Sequence, residues 1–267
     1  MTDWNSVITR IATGKMTRIN SGSNKTIYLD PDDEKVYAKE VASKYTQGTK
    51  VLELLRALAA KHDVIRQHIL IPEDAYEHIE AGYRYYVMPY CAADLDVESG
   101  ETRRFLGKYT LDRLEQNFSA LEQTVTLLHK NGLSCLDIKP ANMLFVCGKN
   151  DTFIKLTDLD SSLINKKGSP AQTLNYNYLR FGEDFKKQDL FALYKSIIEI
   201  LNGRTVDVWN YKIMDFNKTV RDWTNIVRQN IDGKVFNELM EKYLLKLEQL
   251  EGSSNQLQSP RGTYLKY

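Results

Sequence analysis

Apolar side chains recur at steps of three or four residues along the stretch from Leu111 to Leu128. This spacing places them on one face of a helix, and their density predicts that the face is buried. Thr110 would cap the start of this helix, and Gly132 would end it. The apolar positions are Leu111, Leu114, Phe118, Leu121, Val125 and Leu128.

Runs of strand-forming residues, bounded by turn signals, occur at several other places. Residues 143–146 and 153–157 predict two strands joined by a Gly-Lys-Asn-Asp turn. Residues 36–40 and 83–88 predict two further strands. Between them in the sequence, residues 49–60 predict a helix with one apolar side. The order of these elements indicates a mixed α and β protein.

Two more apolar helices are predicted towards the C-terminus. The first begins at Asp189 and is closed by Asn202 and Gly203. The second runs from Val235 to Leu247, and its apolar face is expected to belong to the core rather than to a partner surface.

The charge balance narrows the classes of partner. The chain has 267 residues, of which 36 are basic and 35 acidic, and its formal net charge is +1. A near-neutral chain gives no reason to expect nucleic acid or a membrane surface as partner. Three cysteines without C-x-x-C spacing favour a reducing compartment over a disulfide framework or a zinc site. No apolar stretch approaches the roughly 18 residues that span a bilayer, and the first residues lack the pattern of a secretory signal.

Residues 135–142 read Cys-Leu-Asp-Ile-Lys-Pro-Ala-Asn and carry the most informative chemistry in the chain. Asp137, Lys139 and Asn142 form D-x-K-x-x-N, a spacing suited to phosphoryl transfer. The aspartate would take or orient the proton of an attacking hydroxyl, and the lysine would screen the transferring phosphoryl group. Asn142, and Asp158 at the end of a predicted strand, offer hard oxygen ligands to Mg²⁺.

Helix, polar loop, hairpin and acidic loop follow one another in the order found in the eukaryotic-type protein kinase family, which the chain resembles over about residues 12–250. The family's loop reads H-R-D-x-K-x-x-N and its metal motif reads D-F-G. Here the segments are Cys135-Leu136-Asp137 and Asp158-Leu159-Asp160, so the acidic and amide groups are kept while the flanking residues are not. From the loop alone, a polar segment that arose by chance is the alternative interpretation.

The resemblance implies an α+β, bilobal protein-kinase-like fold with a small antiparallel-sheet N lobe and a mainly helical C lobe. The N lobe would cover residues 12–90 and the C lobe residues 91–250, with residues 251–267 as a flexible tail. The implied cofactors are ATP and Mg²⁺, with Mn²⁺ as an alternative metal.

Residues 19–27 lie where the family has its glycine-rich phosphate loop. Glycine matters there because backbone amides must approach phosphate oxygens closely. Only Gly22 is kept, and Ile19 and Ile27 on either side of it are assigned to the nucleotide site. Lys25 stands in the place of a glycine and would either contact phosphate or face solvent. The alternative is an ordinary turn between two strands.

The following strand resembles the family's V-A-x-K strand and implies that Lys39 holds the α- and β-phosphates. The carboxylate that orients it would be Glu53 on the predicted helix. Glu40 is adjacent in the strand and would point to the opposite face, which makes it the weaker candidate. Tyr37 stands where the family has a small alanine over the adenine ring, so either Tyr37 is turned aside or the adenine pocket is altered.

Residues 83–92 resemble the family's fifth strand and the hinge between its lobes. Met88 would guard the back of the adenine pocket, and backbone groups near Cys91 would bond the adenine edge. Leu144 is assigned to the same nucleotide site. An edge strand ended by Pro89 is the alternative interpretation of this segment.

Two later segments resemble supporting parts of the family's large lobe. Residues 172–176 resemble the substrate-docking loop, in which Thr173 would bond towards Asp137 and Lys139. Asp189 would tie down the backbone of the catalytic loop.

Together these features imply a protein kinase that transfers the γ-phosphoryl of Mg·ATP to a protein hydroxyl. Lys139, two residues after Asp137, resembles the serine/threonine type and not the tyrosine type. Leu136 replaces the arginine that receives an activation-loop phosphate, so the enzyme would either be always on or be switched by an activating protein or small molecule. The alternatives are a pseudokinase scaffold for protein partners, which Tyr37 and Asp160 favour, and a small-molecule kinase of the aminoglycoside or choline type. The expected location is the cytoplasm, or the host cytosol for an effector or viral protein.

Overall fold

The computed structural model describes most of the chain, in several ranges. They form an α+β arrangement, with an antiparallel sheet in the N-terminal part and a mainly helical C-terminal part. The predicted fold class is confirmed at this level. The described ranges are 2–21, 25–33, 35–41, 48–78, 80–89, 93–94, 106, 110–147, 152–159, 162–165, 181, 184–203, 220–229 and 236–252.

Within these ranges the N-terminal sheet has the strand order β1-β2-β3-β5-β4, and every neighbouring pair is antiparallel. Its strands are β1 (Thr17–Ser21), β2 (Lys25–Leu29), β3 (Lys35–Val41), β4 (Asp74–His78) and β5 (Tyr83–Pro89). Shorter pairings in the C-terminal part use β6 (Ala93–Asp94), β7 (Leu133–Ser134), β8 (Met143–Cys147), β9 (Thr152–Leu156) and β10 (Leu163–Ile164). The four predicted strands are confirmed, each to within one residue at either end.

The helices of the described part are α1 (Trp4–Ala12), α2 (Gly48–Ala59), α3 (Asp63–His68), α4 (Leu111–Lys130), α5 (Phe185–Asn202), α6 (Val220–Gln229) and α7 (Asn237–Gly252). The sequence patterns predicted α2, α4, α5 and α7 but not α1, α3 or α6. None of these helices is both long and apolar enough to cross a membrane.

The ends and the buried face of helix α4 are those that its sequence pattern predicted. The Thr110 side chain accepts a hydrogen bond from the Arg113 amide, so the predicted cap is present. Five of the six predicted apolar positions are buried, and Leu111 is half-buried. Gly132 follows the helix with φ 80°, and a Cβ there would lie 2.2 Å from Asn165 Oδ1. A residue with a side chain would therefore be strained at this end, and its Cβ would displace the Asn165 side chain.

Helix α5 is the buried centre of the C-terminal part, packed against α4 and α7. It begins four residues before the predicted start, because the Asp184 side chain accepts from the Lys187 amide and caps it there. It ends as predicted at Gly203, which has φ 69°. The earlier start places Asp189 inside the helix. Its buried apolar side chains are Phe185, Phe191, Ala192, Leu193, Tyr194, Ile197, Ile198, Ile200 and Leu201.

The two faces of the N-terminal sheet meet different parts of the molecule. Helix α1 covers one face, here called the outer face, where Val7 packs with Tyr37 and Val87. Trp4 stacks on Tyr76 of the same face with 6.0 Å between ring centroids. The opposite face is called the inner face. Because side chains alternate along a strand, it carries Lys25, Ile27, Val36, Ala38, Glu40, Arg84, Tyr86 and Met88.

Helix α3 and strand β9 join the sheet to the helical part. The Leu70 amide donates to the Leu156 carbonyl at 2.8 Å, and Ile69 bridges to the same residue. The buried His68 ring places Nδ1 2.9 Å from the Ile154 carbonyl oxygen. These long-range contacts fix the position of β9, and hence of Asp158 just beyond it.

Candidate active site

A buried carboxylate holds the backbone of the loop that follows β7. Asp189 is 1% exposed and accepts hydrogen bonds from the amides of Cys135 and Leu136, each at 2.7 Å. His129 Nε2 lies 2.8 Å from Asp189 Oδ2. Leu136 has φ 63°, a conformation that costs a residue with a side chain, so Asp189 fixes strained backbone next to Asp137. The predicted role of Asp189 is confirmed.

Asp137, Lys139 and Asn142 come together in one polar cluster. Lys139 Nζ donates to Asp137 Oδ2 at 2.8 Å, and Asn142 Nδ2 donates to the same oxygen at 3.0 Å. Asn142 Nδ2 also donates to the Asp137 carbonyl at 2.9 Å, which locks the turn between them. In the described part of the chain, no hydrogen bond engages Asp137 Oδ1. That oxygen is therefore the one that would meet a substrate hydroxyl.

The surroundings of Asp137 raise the pKa of its carboxyl above the ordinary value. Burial is the largest cause, and the nearby Asp158 carboxylate adds to it. The Lys139 ammonium and the Asn142 hydrogen bond oppose the rise. A raised pKa makes a carboxylate a better proton acceptor.

Asp158 connects the loop after β9 to the N-terminal sheet. Its side chain accepts a hydrogen bond from Lys25 Nζ on β2, an ion pair between residues 133 positions apart. The side chains are 22% exposed for Lys25 and 36% for Asp158, so the pair is reachable from solvent. Asp158 has φ 62°, and Leu136 has φ 63°. Two residues with side chains thus adopt the left-handed backbone conformation, one beside Asp137 and the other at Asp158. Lys25 therefore faces the site rather than bulk solvent.

Lys25 also begins a row of alternating charges on the inner face. It pairs in register with Glu40, which pairs with Arg84, which pairs with Glu77. Directly opposed side chains on one face of a sheet are neighbours, and opposite charges there are stabilising. The row crosses β2, β3, β5 and β4 in that order.

The middle of this row is buried and bonded. Glu40 and Arg84 have side-chain exposures of 5% and 7%, with 3.6 Å between Arg84 Nη1 and Glu40 Oε2. The Tyr86 hydroxyl donates to Glu40 at 3.0 Å, and Arg84 Nε donates to Glu77 at 2.8 Å. Thr49 at the start of α2 also donates to Glu77 and lowers the pKa of its carboxyl, with help from Arg84. Arg84 and Glu77 were not predicted from the sequence, although Arg84 lies between Tyr83 and Tyr85 and Glu77 follows Tyr76.

The predicted phosphate-holding pair, Lys39 and Glu53, does not form. Lys39 lies on the outer face, where its Nζ sits 3.8 Å from the centroid of the Tyr83 ring. Glu53 is exposed on α2, and within the described ranges no ion pair joins the two. The alternation of neighbouring side chains was predicted correctly, but the face was wrong: Glu40, not Lys39, points inward.

Tyr37 is turned aside, which was one of the two predicted alternatives. Its ring packs on the outer face and its hydroxyl donates to Asp33 at 3.2 Å. Burial, followed by the Asp33 carboxylate, raises the pKa of Tyr37 to about 12. The fully buried Ala38 takes the inward position beside Glu40.

The remaining predicted nucleotide residues are spread over several elements. Ile27 and Met88 lie on the inner face, half-buried, and Leu144 is half-buried on β8. Ile19 sits at an irregularity in the β1–β2 pairing and is 45% exposed. The predictions that fall outside the described residues are Gly22, Cys91, Asp160 and residues 172–176.

No model of a known protein family matches this sequence, and no curated protein matches it either.

The oxygen atoms of Asp158 and Asn142 could bind a divalent cation only if a bound phosphate group supplied further oxygen ligands. Asn142 Nδ2 is committed to Asp137, which leaves Asn142 Oδ1 as the amide atom that can accept a cation. Among the described residues, no group of three or more His, Cys, Asp or Glu side chains could hold a metal. One carboxylate and one amide oxygen suit Mg²⁺ when phosphate oxygens complete its shell.

Proposed function

We propose that this chain is a divergent protein kinase, which transfers the γ-phosphoryl of Mg·ATP to a serine or threonine hydroxyl of a protein. The observation that supports it best is the gathering of Asp137, Lys139, Asn142 and Asp158, with Lys25 added from the sheet. An antiparallel sheet followed by a helical part is compatible with the two lobes of that fold. Enzymes catalyse phosphoryl transfer mainly by positioning the reacting groups and by stabilising charge, and the side chains of this cluster could do both.

In this proposal Asp137 Oδ1 accepts the hydrogen bond of the attacking hydroxyl and then takes its proton. Lys139, held on Asp137 Oδ2, carries positive charge next to the transferring group. Asn142 fixes the Asp137 carboxylate, and Asp189 fixes the backbone before it. Mg²⁺ would be held by Asp158 and Asn142 Oδ1, where it neutralises charge on the phosphates.

Metal binding gives a direct prediction for Asp158. Mg·ATP should raise the melting temperature of the wild type more than ATP alone does, because two protein ligands bind Mg²⁺ only beside phosphate oxygens. Asp158→Ala should remove the metal-dependent part of the rise. Differential scanning fluorimetry with ATP and either Mg²⁺ or EDTA measures both. Equal stabilisation with and without Mg²⁺ in the wild type would refute the metal assignment.

The pKa of Asp137 gives a second prediction. Lys139→Met should move the acid limb of the kcat/KM profile to higher pH, because the Lys139 ammonium lowers the pKa of Asp137 and its loss lets that pKa rise. The carboxylate then needs a higher pH to ionise. Lys155→Met, which removes a lysine bonded to the Arg66 carbonyl instead, is the matched control and should leave the limb in place. An acid limb that stays put or moves down in Lys139→Met contradicts the role given to Asp137.

A transfer assay tests the proposed activity. The purified chain is incubated with γ-labelled ATP and Mg²⁺, alone, with generic protein substrates and with a cell lysate, beside an Asp137→Asn variant. Label on protein that depends on Asp137 supports a protein kinase. Label on small molecules alone would favour the small-molecule class.

One observation favours a scaffold as the second candidate. Glu40 places a carboxylate on the inner face of β3, the face to which Lys39 was expected to point in order to hold phosphates. A chain that binds ATP but transfers nothing to itself, to generic substrates or to lysate proteins would support the scaffold.

A further inference from the structure

The contact between Lys25 and Asp158 bears on how a polyphosphate would be held. A nucleoside triphosphate is strongly anionic, so a site for it needs a cation within reach of the metal ligand. Lys25 Nζ already touches the proposed metal ligand and remains partly exposed. It is the first residue of β2 and lies within residues 19–27, the segment that resembles the phosphate loop.

Two other cations of the sheet, Lys39 and Arg84, are placed where they cannot serve. Lys39 is held over the Tyr83 ring on the outer face. Arg84 is buried, and its guanidinium bonds Glu77 and the Tyr86 hydroxyl beside Glu40. Because its guanidinium is held by Glu77, Tyr86 and Glu40, Arg84 does not extend to the loop of Asp137.

On the side of the site that the sheet forms, the balance of charges depends on Lys25. The row of Lys25, Glu40, Arg84 and Glu77 sums to zero, and its Lys25 end contacts the Asp158 carboxylate. Without Lys25, the row would carry one net negative charge beside the Asp158 carboxylate. Such a surface repels phosphate. Removing Lys39 changes none of the charges on this face.

We infer that Lys25 on β2, and not Lys39 on β3, is the residue that holds the phosphates of the bound nucleotide. The inference rests on the proposed function, because it assumes that the cluster takes a nucleoside triphosphate. Lys25 sets the site's preference for phosphorylated nucleotides over nucleosides. When Mg·ATP binds, Lys25 shifts from Asp158 to the phosphate oxygens, and Asp158 becomes available to the metal.

Nucleotide titrations with matched lysine variants test this assignment. Isothermal titration is run with Mg·ATP, Mg·ADP and adenosine on the wild type, Lys25→Met, Lys25→Arg and Lys39→Met. Lys25→Met should weaken Mg·ATP binding roughly 10- to 100-fold, as for the loss of one charge-assisted hydrogen bond. Adenosine binding should stay within about twofold, since adenosine carries no phosphate for the lysine to hold. Lys25→Arg should keep part of the Mg·ATP affinity, and Lys39→Met all of it.

Methionine keeps the length of the lysine stem, and the pair that it breaks is partly exposed, so the fold should survive. Circular dichroism checks this. An equal loss for adenosine and Mg·ATP in Lys25→Met would show a merely structural role and overturn the inference. A loss of Mg·ATP affinity in Lys39→Met, with Lys25→Met unaffected, would overturn it as well.

The titrations also separate this inference from the proposed activity. A wild type that binds Mg·ATP but transfers no phosphoryl group refutes the enzyme, while the variant affinities still decide for or against Lys25. A wild type that binds none of the three ligands refutes both.

Discussion

Asp137→Asn should reduce phosphoryl transfer by about 10²–10⁴-fold, or roughly 3–5 kcal/mol of barrier, the usual contribution of a positioned general base. The amide keeps an oxygen that can accept from Lys139 and Asn142, so the loop should hold its shape. It cannot take a proton from the attacking hydroxyl. Single-turnover measurements with γ-labelled ATP give the rate of the chemical step.

Nucleotide affinity provides the internal control for this variant. Asp137 is not a proposed ligand of ATP or of the metal, so the affinity for Mg·ATP should change little. A rate within about threefold of the wild type would remove Asp137 from the chemistry. A cellular effect that persists in Asp137→Asn would favour the scaffold.

Asp189→Ala should lower the free energy of unfolding by about 2–5 kcal/mol, whether or not the chain is an enzyme. The change leaves the amides of Cys135 and Leu136 without their acceptor, and a buried donor left unpaired costs about 1–3 kcal/mol. It also takes the hydrogen-bond partner from the His129 ring. Urea unfolding followed by tryptophan fluorescence and circular dichroism measures the loss.

Asp184→Ala is the matched control, because Asp184 caps the start of the same helix and its side chain also accepts a backbone hydrogen bond. Loss of such an N-cap usually costs about 1 kcal/mol. If both variants lose the same free energy, Asp189 is only a helix residue and does not hold the loop. Asp189→Asn keeps one acceptor oxygen and should fall between them.

Local patterns predicted the parts of the site that are close in sequence. Asp137, Lys139 and Asn142 span six positions, so a short loop with a proline turn brings them together whatever surrounds it. The helix before them could be predicted because one face of α4 is buried against a single core, which gives a clear period. Asp189 was predicted from the resemblance, and its place inside α5 follows from a cap at Asp184 that the apolar pattern did not reveal.

Elements with weak patterns escaped prediction. Helix α3 has six residues, too few to show a helical period. Helix α6 lies between stretches outside the described ranges, and its polar residues outnumber the buried ones, Val220, Trp223, Thr224 and Val227.

The sequence by itself determined that Lys39 and Glu40 point to opposite faces of β3, since strand side chains alternate. It did not determine which face meets the catalytic loop. Both faces of the sheet are covered, so Tyr37 and Ala38 are both buried and the apolar pattern favours neither side. The tertiary structure decided it, because α1 packs Trp4 and Val7 over the face of Tyr37 and leaves the face of Glu40 and Lys25 towards Asp158.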